Sequence, residues 1–207
     1  CIRDSLGAEL VEYGADFDDA RQHCEQLTRQ HGLRYVHSAN EPDLIAGVGT
    51  MALEIFERLT PDVLLVPIGL GSGVCGTSLV AAARNPATRV IGVQAEGAPA
   101  VAESWRSGRS VTKDRVHTFA EGLATRAPAE MTLEIMRRHM SDVVLVSDEE
   151  IREAMHWILE STHNLVEPAG AATTAAAWKL REQLAGRTTV AILSGGNCDL
   201  RQQLGNS

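Results

Sequence analysis

Apolar side chains gather along this chain in short runs separated by longer mixed stretches. Residues 62–68, Asp-Val-Leu-Leu-Val-Pro-Ile, make a nearly unbroken apolar run of strand length, with none of the apolar/polar alternation of a half-exposed strand. Such a run suits a strand covered on both faces, as in a buried parallel sheet. Runs at 89–93, 143–146 and 190–193 read the same way, and two further short strands are expected at 6–14 and 34–37. The stretches between read as helices at 16–31, 46–59, from a glycine-rich turn to about 84, 131–139, 148–163 and 169–184. Acidic residues open the first of these and Asp148-Glu149-Glu150 the fifth, where the helix dipole favours negative charge, while Pro61 stops the second. Strand 62–68, the turn, its helix and strand 89–93 form a βαβ unit, and the alternation as a whole argues an α/β class.

Composition narrows the picture. A chain of 207 residues that is 44% hydrophobic and 22% charged is long enough to bury a sizeable core. Its net charge of -8, pI near 5.4 and lack of a basic cluster disfavour a nucleic-acid partner. No apolar run approaches membrane-span length and no basic segment leads into an apolar one, so neither a membrane partner nor an address signal is expected. The four cysteines, Cys1, Cys24, Cys75 and Cys198, form no Cys-x-x-Cys pair and suggest reduced thiols in a cytoplasmic protein. His117, His156 and His163 lack metal-ligand spacing, and no metal is expected. Residues 1–5, Cys-Ile-Arg-Asp-Ser, resemble a translated sequencing adapter, and native sequence is expected to begin near Leu6.

The chemistry concentrates in Gly69-Leu70-Gly71-Ser72-Gly73-Val74-Cys75-Gly76, between a buried strand and a helix. Unpaired amides and the helix dipole make that position an anion site, and glycines let backbone approach an oxyanion closely. Two ligands fit. The spacing of Gly71, Gly73 and Gly76, with Glu96 at the end of the next strand, matches a dinucleotide fingerprint. A phosphorylated cofactor of another kind fits equally, and a ligand-free structural turn is the plain alternative. A Walker loop is excluded, because no Gly-Lys-Ser/Thr follows.

Other segments bear on the choice. In chain order come Leu6-Gly7-Ala8-Glu9 with Gly14-Ala15-Asp16-Phe17, Ile45-Ala46-Gly47-Val48-Gly49-Thr50, the glycine turn, Thr118-Phe119-Ala120-Glu121-Gly122-Leu123-Ala124, Glu167-Pro168-Ala169-Gly170-Ala171 and Ser194-Gly195-Gly196-Asn197. This order resembles the fold-type-II pyridoxal-phosphate (PLP) enzymes of the threonine/serine dehydratase group, which includes serine racemase-like proteins, over nearly all of 6–200. The resemblance implies a small-domain remnant at 6–40 and a large PLP-binding domain at 41–207. It implies that the backbone of Gly69, Leu70, Gly71, Ser72 and Gly73 binds the cofactor phosphate and that the Ser194 hydroxyl meets the pyridine nitrogen. A neutral hydroxyl can donate to an unprotonated ring nitrogen, where a carboxylate would hold it protonated. Glu121 and Gly122 would shape the substrate pocket.

In such enzymes a lysine forms the Schiff base and takes the Cα proton of a β-hydroxy amino acid, threonine or serine, which leaves as a 2-oxo acid and ammonia. That lysine and a Ser-x-Gly-Asn-His segment lie upstream of the matching region, so this chain is expected to lack them and not to catalyse alone. Neither Lys113 nor Lys179 fits the role. Leu70 and Ser72 stand where the family's loop commonly has glycine, which main-chain phosphate binding tolerates. A divalent-cation site of some relatives uses the place of Glu96 and a later carboxylate; Ala102 stands at the latter here. The intact parent is expected to be a homo-oligomer. A nicotinamide-dependent oxidoreductase and a non-catalytic interaction module are the rival functions, and an isolated chain with an unpaired sheet edge is expected to aggregate.

Overall fold

The computed structural model describes residues 6–198, which divide into two compact units between residues 37 and 38. The first unit is built on helix α1 (Phe17–His31). Asp16 caps it by accepting the Asp19 N–H, and Gly32 ends it in the left-handed region at φ 64°. The strands expected at 6–14 and 34–37 are not formed. A strand exists only when a neighbour completes its hydrogen-bond ladder, and no described segment pairs with either stretch. Tyr13 stacks on His23 at 3.9 Å between centroids.

The second unit is a parallel sheet with helices on both faces. In order it runs α2 (Pro42–Arg58), β1 (Val63–Pro67), α3 (Ser72–Arg84), β2 (Arg89–Ala95), α4 (Ala100–Ser107), a 3-10 turn (Glu121–Leu123), α5 (Glu130–His139), β3 (Asp142–Val146), α6 (Asp148–Thr162), α7 (Pro168–Lys179), α8 (Arg181–Leu184) and β4 (Thr189–Ala191). Helix α2 begins four residues before the expected 46, because Glu41 caps it and Pro42 occupies a first-turn position where no N–H is needed. The single helix expected at 169–184 is two helices meeting at Leu180. Helix α4 has no side-chain cap and only eight residues, and its pattern gave no warning of it.

The unbroken apolar run now has its cause. Val63 and Leu65 face a core built with α6 and α7, while Leu64, Val66 and Ile68 face another built with α2 to α5. Both faces of β1 are dry, so alternation would be a defect. Ile68 lies over β2 at Gly92, where any Cβ would collide with its side chain. Helices α2 and α3 cross closely at Gly49 and Gly76, and a Cβ on Gly76 would stand 2.7 Å from both the Gly49 nitrogen and the Ile45 oxygen. Among the described residues no helix is long and apolar enough to cross a membrane.

Strand order is β3-β2-β1-β4, all parallel. The chain steps outward from β1 to β2 to β3 and then returns to the far side of β1. Helix α3 of the first crossover packs in one core, and α6 and α7 of the last pack in the other. The order therefore reverses between β1 and β4, and open α/β sheets place their ligands beyond the carboxyl ends of the strands at such a point.

Candidate functional site

Two loops leave that reversal point side by side. Leu65 pairs with Ala191, so Ile68 and Ser194, each three residues further on, depart adjacent strands at the same level. The glycine turn is shorter than the sequence suggests, since α3 already begins at Ser72. Gly71 precedes it at φ 100°, a conformation that favours glycine. The first bond closing the helix runs from the Cys75 N–H to the Gly71 carbonyl at 2.9 Å. The amides of Ser72, Gly73 and Val74 thus have no helical carbonyl behind them and lie at the positive end of the dipole.

The other glycines of the motif divide by purpose. Gly69 admits no Cβ, because one would collide with the Gly122 carbonyl oxygen. Gly73 has nothing within 4 Å of where a Cβ would lie, so its surface is open to a ligand. Gly76 serves the crossing of α2 and α3 instead. Its match to the dinucleotide spacing is therefore a packing requirement. The turn is anchored from α5 and the segment before it: Thr132 Oγ1–H donates to the Leu70 carbonyl at 2.6 Å, and Thr125 Oγ1–H to the Gly69 carbonyl at 3.3 Å.

A relay of close approaches joins this turn to the other segments. Gly122 touches Gly69 on one side, and on the other a Cβ on Gly122 would stand 2.8 Å from the Ala169 Cβ and 3.8 Å from a Glu167 oxygen. Glu167 in turn donates its N–H to the Gly195 carbonyl at 3.0 Å, and its carboxylate would meet a Cβ on Gly195 at 2.6 Å. A Cβ on Gly170 would stand 3.1 Å from the Ser194 nitrogen. Thr173 Oγ1 donates to the Ile192 carbonyl at 3.0 Å, fixing the start of the same loop. Residues 69–73, 121–123, 167–170 and 194–195 are thus neighbours. Glu121, Gly122 and Ser194 are exposed and Gly69, Leu70, Ser72 and Gly73 half-buried, so the grouping opens to solvent.

The segment holding Gly122 has a further anchor, absent from the sequence expectations. Asp148, at the first turn of α6, accepts the Thr118 hydroxyl at 2.6 Å and the Phe119 N–H at 3.1 Å. Arg152 lies 4.4 Å over the Phe119 ring. In sequence Asp148 is the first of three acids opening a helix, and that ordinary capping role hides it.

Neither lysine stands as a free amine. Lys113 Nζ lies 2.7 Å from Glu103. Lys179 Nζ donates to Glu150 and to the Leu145 carbonyl, both at 3.0 Å, and to Glu96 at 3.4 Å. Burial works against its charge, but the bonds and charges of Glu150 and then Glu96 outweigh that and hold its pKa above the usual lysine value. An imine-forming lysine needs the opposite shift. Glu96 is also the carboxylate the dinucleotide reading required for a ribose. Cys75, inside the motif, is buried, donates to the Thr132 carbonyl at 3.3 Å, and has its pKa pushed up to about 12 by desolvation.

An open cradle of main-chain donors at a helix start fits a phosphomonoester, and a hydroxyl-bearing loop beside it fits the far side of a small ring. The open space at Gly73, where nothing lies within 4 Å of a Cβ position, beside the unpaired amides of the α3 start is the observation that carries the fit. Comparison with known proteins bears on which cofactor this is. A family described as pyridoxal-phosphate dependent enzyme matches residues 3–195. The chain is 36% identical over 198 residues to an L-threonine ammonia-lyase of Thermotoga maritima, covering 95% of this chain and 49% of that protein. It is 38% identical over 196 residues to the catabolic L-threonine dehydratase of Escherichia coli K12, covering 93% and 60%. Among solved structures, maize serine racemase superposes with a TM-score of 0.88 at 29% identity, over 96% of this chain and 63% of that one. The processed form of threonine deaminase isoform 2 from Solanum lycopersicum gives 0.88 at 31%, over 95% and 55%. The chain spans about half to three-fifths of the length of the curated relatives it matches. The fold, the cradle and these likenesses agree: the chain belongs to the family of pyridoxal-phosphate dependent enzymes, in its fold-type-II group.

Proposed function

We propose that this chain is the cofactor-holding part of an ammonia-lyase that converts threonine or serine to a 2-oxo acid and ammonia, and that it does not catalyse by itself. The carrying observation is the contact relay from Gly69 through Gly122 and Glu167 to the Ser194–Gly195 loop. PLP, when bound, supplies the electron sink for loss of the substrate's Cα proton. The protein's contributions are positional. Amides of residues 69–73 would hold the phosphate, with the α3 dipole adding to their pull. The Ser194 hydroxyl would donate to the ring nitrogen without giving up a proton, favouring a neutral nitrogen. The exposed turn at Glu121 and Gly122 borders the substrate. Residues 6–40 are the remnant of a small domain and 41–207 the large domain, and residues 1–5 lie outside the described residues. The parent acts in the cytoplasm as a homo-oligomer, and its imine-forming lysine lies outside this chain.

The test is expression together with upstream coding sequence. A protein that shows PLP absorbance and releases ammonia and 2-oxo acid from threonine or serine supports the reading. A protein that binds nicotinamide dinucleotide and no PLP overturns it. Replacing Ser194 with Ala should leave the phosphate cradle intact, lower turnover and shift the cofactor spectrum; an unchanged spectrum and rate remove Ser194 from the site.

A further inference from the structure

Between Gly97 and Thr125 the chain crosses the carboxyl end of the sheet, and only the last part of it reaches the cofactor cradle. The His117 N–H donates to the Gly97 carbonyl at 2.8 Å, which holds the upstream end of the segment to the end of β2. The Thr125 hydroxyl holds the downstream end to Gly69. Between them, 118–120 are gripped by one side chain. Both oxygens of Asp148 are used, one by the Thr118 hydroxyl at 2.6 Å and the other by the Phe119 N–H at 3.1 Å. The Thr118 oxygen in turn accepts the Ala120 N–H at 3.1 Å, so the carboxylate sets three consecutive residues. Arg152, one helical turn beyond Asp148, covers the Phe119 ring at 4.4 Å.

Asp148 itself cannot drift. The neighbouring residues form a full capping box, in which the Glu150 N–H donates to Ser147 Oγ and the Ser147 N–H to Glu150. Glu150 is further bonded to Lys179 on α7 at 3.0 Å. The carboxylate is therefore presented from a helix start tied to a second helix. It is half-buried, where charge-assisted bonds are stronger than in open water. The 3-10 turn begins one residue after Ala120, and its Gly122 carbonyl is the atom that presses on Gly69.

From this geometry we infer that Asp148 is a positioning residue of the cofactor site. By holding Thr118 to Ala120 it fixes where Gly122 meets Gly69, and so sets the mouth of the phosphate cradle without touching the ligand. The inference rests on the reading of residues 69–73 as the phosphate cradle.

The experiment measures PLP affinity by fluorescence titration, and hydrogen exchange of the peptide spanning 118–125, in the complete protein and its variants. Asp148→Ala should weaken PLP binding about tenfold, the scale of one lost charge-assisted hydrogen bond, and speed exchange of the peptide. Thr118→Val, which retains volume, removes the hydroxyl bonded to Asp148 and the acceptor of the Ala120 N–H but leaves the Phe119 N–H bond to Asp148, and should weaken binding several-fold. The Asp148→Ala/Thr118→Val pair should be little worse than Asp148→Ala alone, because both remove the same grip. Asp148→Glu should recover part of the affinity. Unchanged affinity in Thr118→Val and Asp148→Ala overturns the inference, as does faster exchange with unchanged affinity. Should Asp148→Ala not fold, Thr118→Val and Asp148→Glu decide alone: wild-type affinity in both overturns the inference. Gly73→Asp provides the separate check, because Gly73 meets nothing within 4 Å and lies outside the Gly69–Gly122 contact. If it binds PLP as the wild type does, the cradle reading fails, whatever the Asp148 variants show.

Discussion

Gly69 and Gly76 are glycines for different reasons, and substitution should separate them. A methyl at Gly69 runs into the Gly122 backbone carbonyl at the site, so Gly69→Ala should weaken PLP binding as well as cost about 1–3 kcal/mol of stability, whereas Gly76→Ala should cost stability alone, as read by cofactor titration beside a urea melt. Cys75 supplies a second expectation at this scale. Its thiol is fully buried with a pKa near 12, so at pH 8 a thiol reagent should label exposed Cys24 and leave Cys75 untouched until denaturant is added. The same shift has a stability sign. Above about pH 9 the unfolded thiol releases a proton that the folded one keeps, so stability should fall as pH rises from 9 towards 12, and Cys75→Ala should remove that part of the slope. Part of this was legible in the sequence. Gly69, Gly71 and Gly73 stood out because close backbone approach needs their residue type in one short stretch. Thr132 and Asp148 did not, since their partners lie 62 and about 30 residues away and their own neighbourhoods read as ordinary helix starts.

Helices and strands show where pattern reading reaches and where it stops. Strand β1 announced itself because both of its faces are buried, which leaves no polar position to blur the run. Stretches 6–14 and 34–37 carry strand-like residues, yet Leu6, Val11 and Tyr13 are exposed and no ladder forms, because pairing is a property of two segments. The crossing of α2 and α3 was invisible for a related reason: Gly49 and Gly76 sit in separate helices, and only their meeting shows why neither carries a side chain. Gly76→Ala must part those helices. It should destabilise the chain by about 1–3 kcal/mol through overpacking, with Gly47→Ala, which meets nothing within 4 Å, as the tolerated control. Chemical denaturation of the two variants checks this. If Gly76→Ala is as stable as Gly47→Ala, the close crossing is not a constraint.

At the scale of the molecule, the described sheet has two open edges, β3 and the three-residue β4. Beside β4, Leu193 is 42% exposed, and Leu165, in the segment leading into α7, is 40% exposed. Unpaired ladder groups next to exposed leucine invite pairing with a second chain. The 207-residue chain alone should therefore scatter light increasingly with concentration, and a chain that stays monomeric and melts cooperatively would contradict this. The strand order carries one more consequence. Strand β4 is the last in the sheet, and its loop supplies Gly195, against which Glu167 closes the relay that began at Gly69. On the proposed reading the cofactor's receptacle would be complete only once residue 195 has emerged from the ribosome and β4 has docked on β1, so chains stopped short of residue 195 should hold the cofactor far more weakly than the full chain.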